Sequence, residues 1–153
     1  MCDLSIIIPV FNNSRSIKHC LQSIFDNKTK YEYEVILVCD PSTDNTNKII
    51  DEFAKKYNNI FIYNVSDRHI AKARDKGIKS AQGKYLMFID ADDYMADNML
   101  EKLYSTITEG YDVVACGYQC FVEGVGNADK IFIDERISRR TNCVKCRIIK
   151  TKK

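Results

Sequence analysis

The stretch Gly83-Lys84-Tyr85-Leu86-Met87-Phe88-Ile89-Asp90-Ala91-Asp92-Asp93-Tyr94 decides how this chain is read. Its apolar run, Tyr85 to Ile89, has a glycine shortly before it and acids after it, the pattern of a short buried strand. The strand ends in three carboxylates within four positions. Crowded like charges repel, so the cluster needs a cation or a set of donors to offset it. Hard divalent ions such as Mg2+ or Mn2+ take oxygen ligands of this kind and share them with substrate phosphates. The first expectation is therefore a metal-assisted phosphate-ester site at the tip of a central strand. Two other readings compete with it. The acids could form a solvated loop leading into a helix that begins near Asn98, with Asp97 as its cap. An EF-hand loop would place Asp90, Asp92 and Glu101 at its first, third and twelfth positions. Tyr94 and Met95 then fall at its fifth position and its invariant glycine, and a strand precedes the loop, so that reading is rejected.

The 153 residues are 45% hydrophobic and 29% charged, which suits one soluble domain with a sizeable core. No run reaches the roughly 18 apolar residues of a membrane span. No basic region precedes an apolar core at the N-terminus, so no secretory leader is expected. Cys2, Cys20, Cys39 and Cys116 read as small core hydrophobes. Cys143-x-x-Cys146 lacks the second Cys/His pair of a zinc site and the context of a redox motif. A reducing cytoplasm is the expected setting. The net charge of +2 hides an asymmetry: Arg136 to Lys153 holds eight Lys/Arg and no acid, leaving 15 basic against 21 acidic residues in the body. Such a tail offers peripheral contact with the inner face of an anionic membrane, or is simply a solvated terminus. No aromatic residue interleaves with these charges, so nucleic acid is not an expected partner.

The rest of the chain alternates strand and helix. Leu4 to Val10 is an apolar strand, followed by a helical stripe of Ile17, Cys20, Leu21, Ile24 and Phe25 with Asn13 or Ser14 as cap. Val35 to Cys39 is a second buried strand. Thr43 or Asp44 caps a second helix that buries Ile49, Ile50, Phe53, Ala54 and Tyr57. Ile60 to Tyr63 is a third strand. A third helix, about 70–81, carries Ile70, Arg74, Gly77, Ile78 and Ala81 on one stripe, and Gly83 stops it. A fourth helix turns Leu100, Leu103, Tyr104 and Ile107 inward. Asp112 to Cys120 and Lys130 to Asp134 are further strands, with a turn over Gly124 to Asn127. This alternation predicts an α/β fold with a mostly parallel sheet in β-α-β-α-β-α-β order, flanked by helices. Ligands of such sheets bind beyond the carboxyl ends of the strands. Pro9 to Asn13, Asp40 to Asp44, Asn64 to Arg68 and Asp90 to Asp93 should therefore share one edge.

Four segments, in order, resemble the family 2 glycosyltransferases with the GT-A fold. Ser5-Ile6-Ile7-Ile8-Pro9-Val10-Phe11-Asn12 is similar to that family's opening strand and nucleotide loop. Val38-Cys39-Asp40-Pro41-Ser42-Thr43-Asp44-Asn45-Thr46 is similar to its second motif. Ala73-Arg74-Asp75-Lys76-Gly77-Ile78 resembles its Ala-Arg-Asn-x-Gly-Ile helix, and Gly83 to Asp93 resembles its strand ending in Asp-x-Asp. The resemblance implies a nucleotide-sugar site, for a UDP-sugar, made of Pro9, Val10, Phe11, Asn12, Asp40, Arg74, Asp90, Ala91 and Asp92. Pro9 and Phe11 would border the base and ribose. Asp40 would accept from a base N–H, unless it is only a turn acid. Arg74 would lie under the diphosphate or brace the acidic loop, unless it is a structural ion pair. Asp92, with Asp90, would hold Mg2+ or Mn2+, with Asp93 in support.

The resemblance further implies transfer of the sugar, with inversion, to a glycan or lipid-linked acceptor in polysaccharide biosynthesis. The general base is unknown: the family's lies far downstream, and Asp134-Glu135 come too early to match. Pro41 replaces the usual glycine and Asp75 an asparagine. Residues 1–120 would be the nucleotide-sugar-binding core and 121–153 an incomplete acceptor-side segment ending in the basic tail. The alternative is a non-catalytic donor-binding or interaction module that works with a partner. A nucleotidyltransferase ranks last, because Val10 to Ser14 contains no glycine. An exposed sheet edge would allow a second copy of the chain as partner.

Overall fold

The computed structural model describes residues 2–66 and 68–116, together with the backbone of the short strands at 118–119, 131–132 and 147–150. The elements run β1 (Leu4–Val10), α1 (Ile17–Asp26), β2 (Tyr33–Cys39), α2 (Thr46–Lys56), β3 (Ile60–Asn64), α3 (Ile70–Ser80), β4 (Tyr85–Phe88), α4 (Met99–Thr108) and β5 (Val113–Ala115). Three short strands follow: β6 (Tyr118–Gln119), β7 (Ile131–Phe132) and β8 (Arg147–Lys150). The main sheet has the order β3-β2-β1-β4-β8-β5. β1 pairs in parallel with β2 and β4, and β2 with β3. The expected α/β architecture and its βα alternation are therefore present.

Each buried strand presents both faces to apolar cover, which is why its sequence reads as a continuous run. Side chains alternate across the sheet. Leu4, Ile6, Ile8 and Val10 of β1 join Val35, Leu37, Tyr85 and Met87 in a core closed by α1, α2 and α4. Ile7, Ile36, Val38 and Leu86 point the other way, against Ala73 of α3. The α1 stripe lies as expected, with Ile17, Cys20, Leu21 and Ile24 buried. On α3 the expected stripe is displaced. Ala73 and Gly77 are buried, whereas Ile70 and Ile78 are exposed. A Cβ on Gly77 would overlap Ile7 Cγ2, so the missing side chain sets how closely α3 approaches β1.

Helix ends depart from the local reading. α1 begins at Ile17 behind Ser16, and α2 at Thr46 behind Asn45; neither preceding residue makes a side-chain cap bond. α4 follows Asn98, whose φ is +59°, and not an Asp97 cap. Its Leu100 N–H donates to Oδ1 of Asn27, at 3.2 Å, so the cap comes from the end of α1. Asn27 Nδ2 also donates to the carbonyls of Ser23 and Ala96. Gly83 serves a close approach and not a helix stop: α3 ends at Ser80, and a Cβ at Gly83 would lie 2.6 Å from Ser5 N. There the Gly83 N–H donates to Ser5 Oγ, which donates to Glu34 Oε1, which also accepts from Gln82 N–H. This buried triad satisfies a glutamate at the end of the sheet away from the strand tips.

The basic tail needs a correction. Arg147–Lys150 is not a solvated terminus: its backbone pairs antiparallel with both β4 and β5 inside the main sheet. Charge describes what the side chains carry, whereas ladder pairing uses the main chain, which every non-proline residue can supply. The strand expected over Asp112 to Cys120 divides into β5, in the main sheet, and β6, which pairs with β7 in a two-stranded sheet. Asp134-Glu135, the turn from Gly124 to Asn127 and Cys143-x-x-Cys146 lie outside the described residues. Of the other cysteines, Cys20 and Cys39 are buried, while Cys2 and Cys116 are only partly so.

Candidate functional site

Parallel pairing brings the carboxyl ends of β1 to β4 together. Val10 stands opposite Cys39, and Cys39 opposite Asn64, while Ile7 stands opposite Phe88. The loops beyond those ends enclose a cleft of about 440 Å³. All four expected segments reach it: Pro9, Val10, Phe11 and Asn13 from the first; Asp40 from the second; Arg68 from the third; Asp90, Ala91 and Asp92 from the fourth. Ile70 and Ala73 of α3 complete the lining.

The first two loops are fastened to each other. Asn12, in the left-handed region at φ +51°, donates its N–H to Ser42 Oγ and accepts from Thr43 N–H at 2.8 Å. Asn13 N–H donates to Thr46 Oγ1, and Ser14 N–H to Asp44 Oδ2. Asp44 also accepts from the amide and hydroxyl of Thr46. The Thr46 hydroxyl bond above all, with the Ser14 amide, holds the Asp44 carboxyl well below the usual carboxylate range. Asn12 thus ties loop to loop and does not line the cleft.

At one end of the cleft, Asp40 is buried and accepts the Arg68 main-chain N–H on Oδ1 at 2.9 Å. The Arg68 guanidinium lies 5.5 Å from the centroid of the Phe11 ring. Phe11 lines the cleft and keeps 43% of its surface exposed. The sequence reading gave Arg68 no role. The available signal was a cation in a post-strand loop that the fold rule brings to the rim.

At the other end, Asp90, Asp92 and Asp93 each bring one carboxylate oxygen within 4.8 Å of the others. Asp92 is exposed and the other two half-buried. A turn bond from Asp93 N–H to Asp90 O folds the loop. Arg74 Nη2 lies 2.8 Å from Asp90 Oδ1, so Arg74 braces the acidic loop and is not part of the cleft lining. Cys20 sits beneath, its thiol 3.7 Å from the Asp90 carbonyl; burial, and then the negative charge of the three acids, pushes it up to about 12. Oxygen-only donors clustered this closely fit a hard divalent cation.

Residues 5–147 match the model of glycosyl transferase family 2, and the chain belongs to that family. It is 33% identical over 126 residues to glycosyltransferase GlyG of Streptococcus pneumoniae, an alignment covering 81% of this chain and 42% of that one. It is also 33% identical over 132 residues to the poly(ribitol-phosphate) beta-glucosyltransferase of Bacillus spizizenii, covering 84% and 21%. The GT-A-like fold is shared with S. aureus TarS 1-349 in complex with UDP-GlcNAc, at a TM-score of 0.72 and 29% identity, covering 82% of this chain and 36% of the 1-349 chain. The chain thus spans less than half the length of these relatives. Among the described residues, no helix is long and apolar enough to cross a membrane.

Proposed function

We propose that the cleft binds a UDP-sugar and that the chain supplies the donor side of an inverting glycosyltransferase. The observation that carries this reading is the convergence of four loops on one cleft lined by Phe11 and Asp40 and by Asp90 and Asp92, the last two clustered with Asp93. Pro9, Val10 and Phe11 border the base and ribose, and Asp40 accepts from the base. Asp90, Ala91 and Asp92 face the diphosphate, while Asn12 and Arg74 hold the loops that carry these groups. A divalent cation, Mg2+ or Mn2+, held by Asp92 and Asp90 with Asp93 in support, would offset the negative charge of the departing nucleoside diphosphate. Relatives solved with UDP and with UDP-GlcNAc, and a relative named for poly(ribitol-phosphate), support a uridine donor and a glycan or other polymer acceptor. The acceptor hydroxyl is deprotonated by a base outside the four loops. The reaction takes place in the cytoplasm, on acceptors at the inner face of the membrane.

Calorimetry with UDP-GlcNAc, with and without Mn2+, tests the reading. Binding should require the ion, and Asp92→Ala should abolish the metal-dependent part. Ion-independent binding unaffected by Asp92→Ala would remove the carboxylate cluster from the site.

A further inference from the structure

We infer that a polar stripe on α1 holds the acidic loop in its ion-binding shape before any ion arrives, with Ser23 as the positioning residue. The inference rests on the donor-site reading above and adds to it what sets the geometry of the carboxylates.

Between β4 and α4, residues 89–98 form neither helix nor strand. Such a segment must satisfy its main-chain groups by other means. It finds several of them on α1. The Cys20 thiol lies 3.7 Å from the Asp90 carbonyl, and Ser23 Oγ accepts the Met95 N–H at 2.9 Å. Asn27 Nδ2 donates to the Ala96 carbonyl at 3.1 Å. Cys20, Ser23 and the C-cap Asn27 are three and four positions apart, which places them along one side of the helix. They meet the loop in chain order, at Asp90, Met95 and Ala96. Ala91 and Met95 are buried on either side of Asp92 and Asp93. The acid-bearing turn is thereby fixed at both ends, by Cys20 and Arg74 at Asp90 and by Ser23 at Met95.

Ser23 is the joint between helix and loop. Its hydroxyl donates to the Cys20 carbonyl at 2.7 Å while it accepts from Met95. Ser23→Ala removes that joint and touches none of the acids or the buried apolar side chains. The Met95 N–H loses its acceptor. The three carboxylates, which repel one another, are then free to spread. An ion must gather them again, and that reorganisation weakens its binding.

Two measurements on the wild type, Ser23→Ala and Ser23→Thr test this. The first is amide hydrogen exchange in the metal-free proteins. The wild-type Met95 and Asp93 amides should exchange at least about tenfold more slowly than in an unstructured chain. Ser23→Ala should speed both by about tenfold, and Ser23→Thr, which keeps the hydroxyl, should match the wild type. The second is binding of Mn2+ alone, followed by electron paramagnetic resonance. Ser23→Ala should weaken it by about tenfold, and Ser23→Thr should not.

A Ser23→Ala protein that speeds only Met95, or that binds Mn2+ as the wild type does, would make the bond merely structural and overturn the inference. So would a Ser23→Thr protein that behaves like Ser23→Ala. Wild-type Met95 and Asp93 amides protected only after Mg2+ is added would show that the ion orders the loop, and this arm decides even where Ser23→Ala fails to fold. Each of these results leaves the donor site standing. A wild type that binds no Mn2+ would remove the ion site and the inference together.

Discussion

Arg74 Nη2 stands 2.8 Å from Asp90 Oδ1, so a helix packed on one face of the sheet steadies the acidic loop beyond β4. Both side chains are more than a third exposed, at 38% and 37%. A pair so exposed stabilises a fold by under about 1 kcal/mol. Its consequence is orientation. Arg74 Nε is buried without a hydrogen-bond partner among the described residues, and the guanidinium meets Asp90 through Nη2.

Arg74→Ala should therefore separate binding from stability. The urea midpoint should change little, while UDP affinity at saturating Mn2+ falls about tenfold, because the loop loses its brace and the diphosphate a nearby positive charge. Arg74→Lys should recover part of the loss. Equal losses of stability and affinity would make the pair merely structural.

Gly77→Ala should cost about 1–3 kcal/mol by overpacking against Ile7, despite the better helix propensity of alanine. In an Ile7→Ala background the same change should cost clearly less, since residues in contact are energetically coupled. Urea denaturation of the four proteins in this cycle measures the coupling.

Asp44 makes loop closure depend on acid. Its carboxyl is held below the usual range, chiefly by the Thr46 hydroxyl. A depressed folded-state value contributes stability above the unfolded value of roughly 4 and loses it as pH falls toward the folded value. Asp44→Asn should thus be less stable than wild type at neutral pH, with the difference shrinking as pH drops below about 4. Unfolding midpoints between about pH 3 and 7 check this; a difference constant with pH would remove ionised Asp44 as the cause.

The strands were legible because Val35 to Cys39 and Tyr85 to Phe88 are covered on both faces, which forces continuous apolar runs. Once the alternation was recognised, the topology rule brought Asp40 and Asp90 to one rim although 50 positions separate them. What stayed hidden depended on non-local partners. Asn27 caps a helix more than 70 positions away. Ile70 and Ile78 satisfy helical spacing, yet the small residues Ala73 and Gly77 form the contact face, because close packing on β1 favours missing volume there. Arg68 acts through its main chain, so its side-chain identity carried no signal of the bond to Asp40.

Backbone amide shifts of the isotope-labelled protein, followed during addition of UDP in Mg2+ buffer, test the site most directly. The account predicts that the largest changes fall on Phe11, Asp40, Arg68 and Ala91, on all four loops at once. Changes confined to other surfaces, or none at saturating nucleotide, would contradict it.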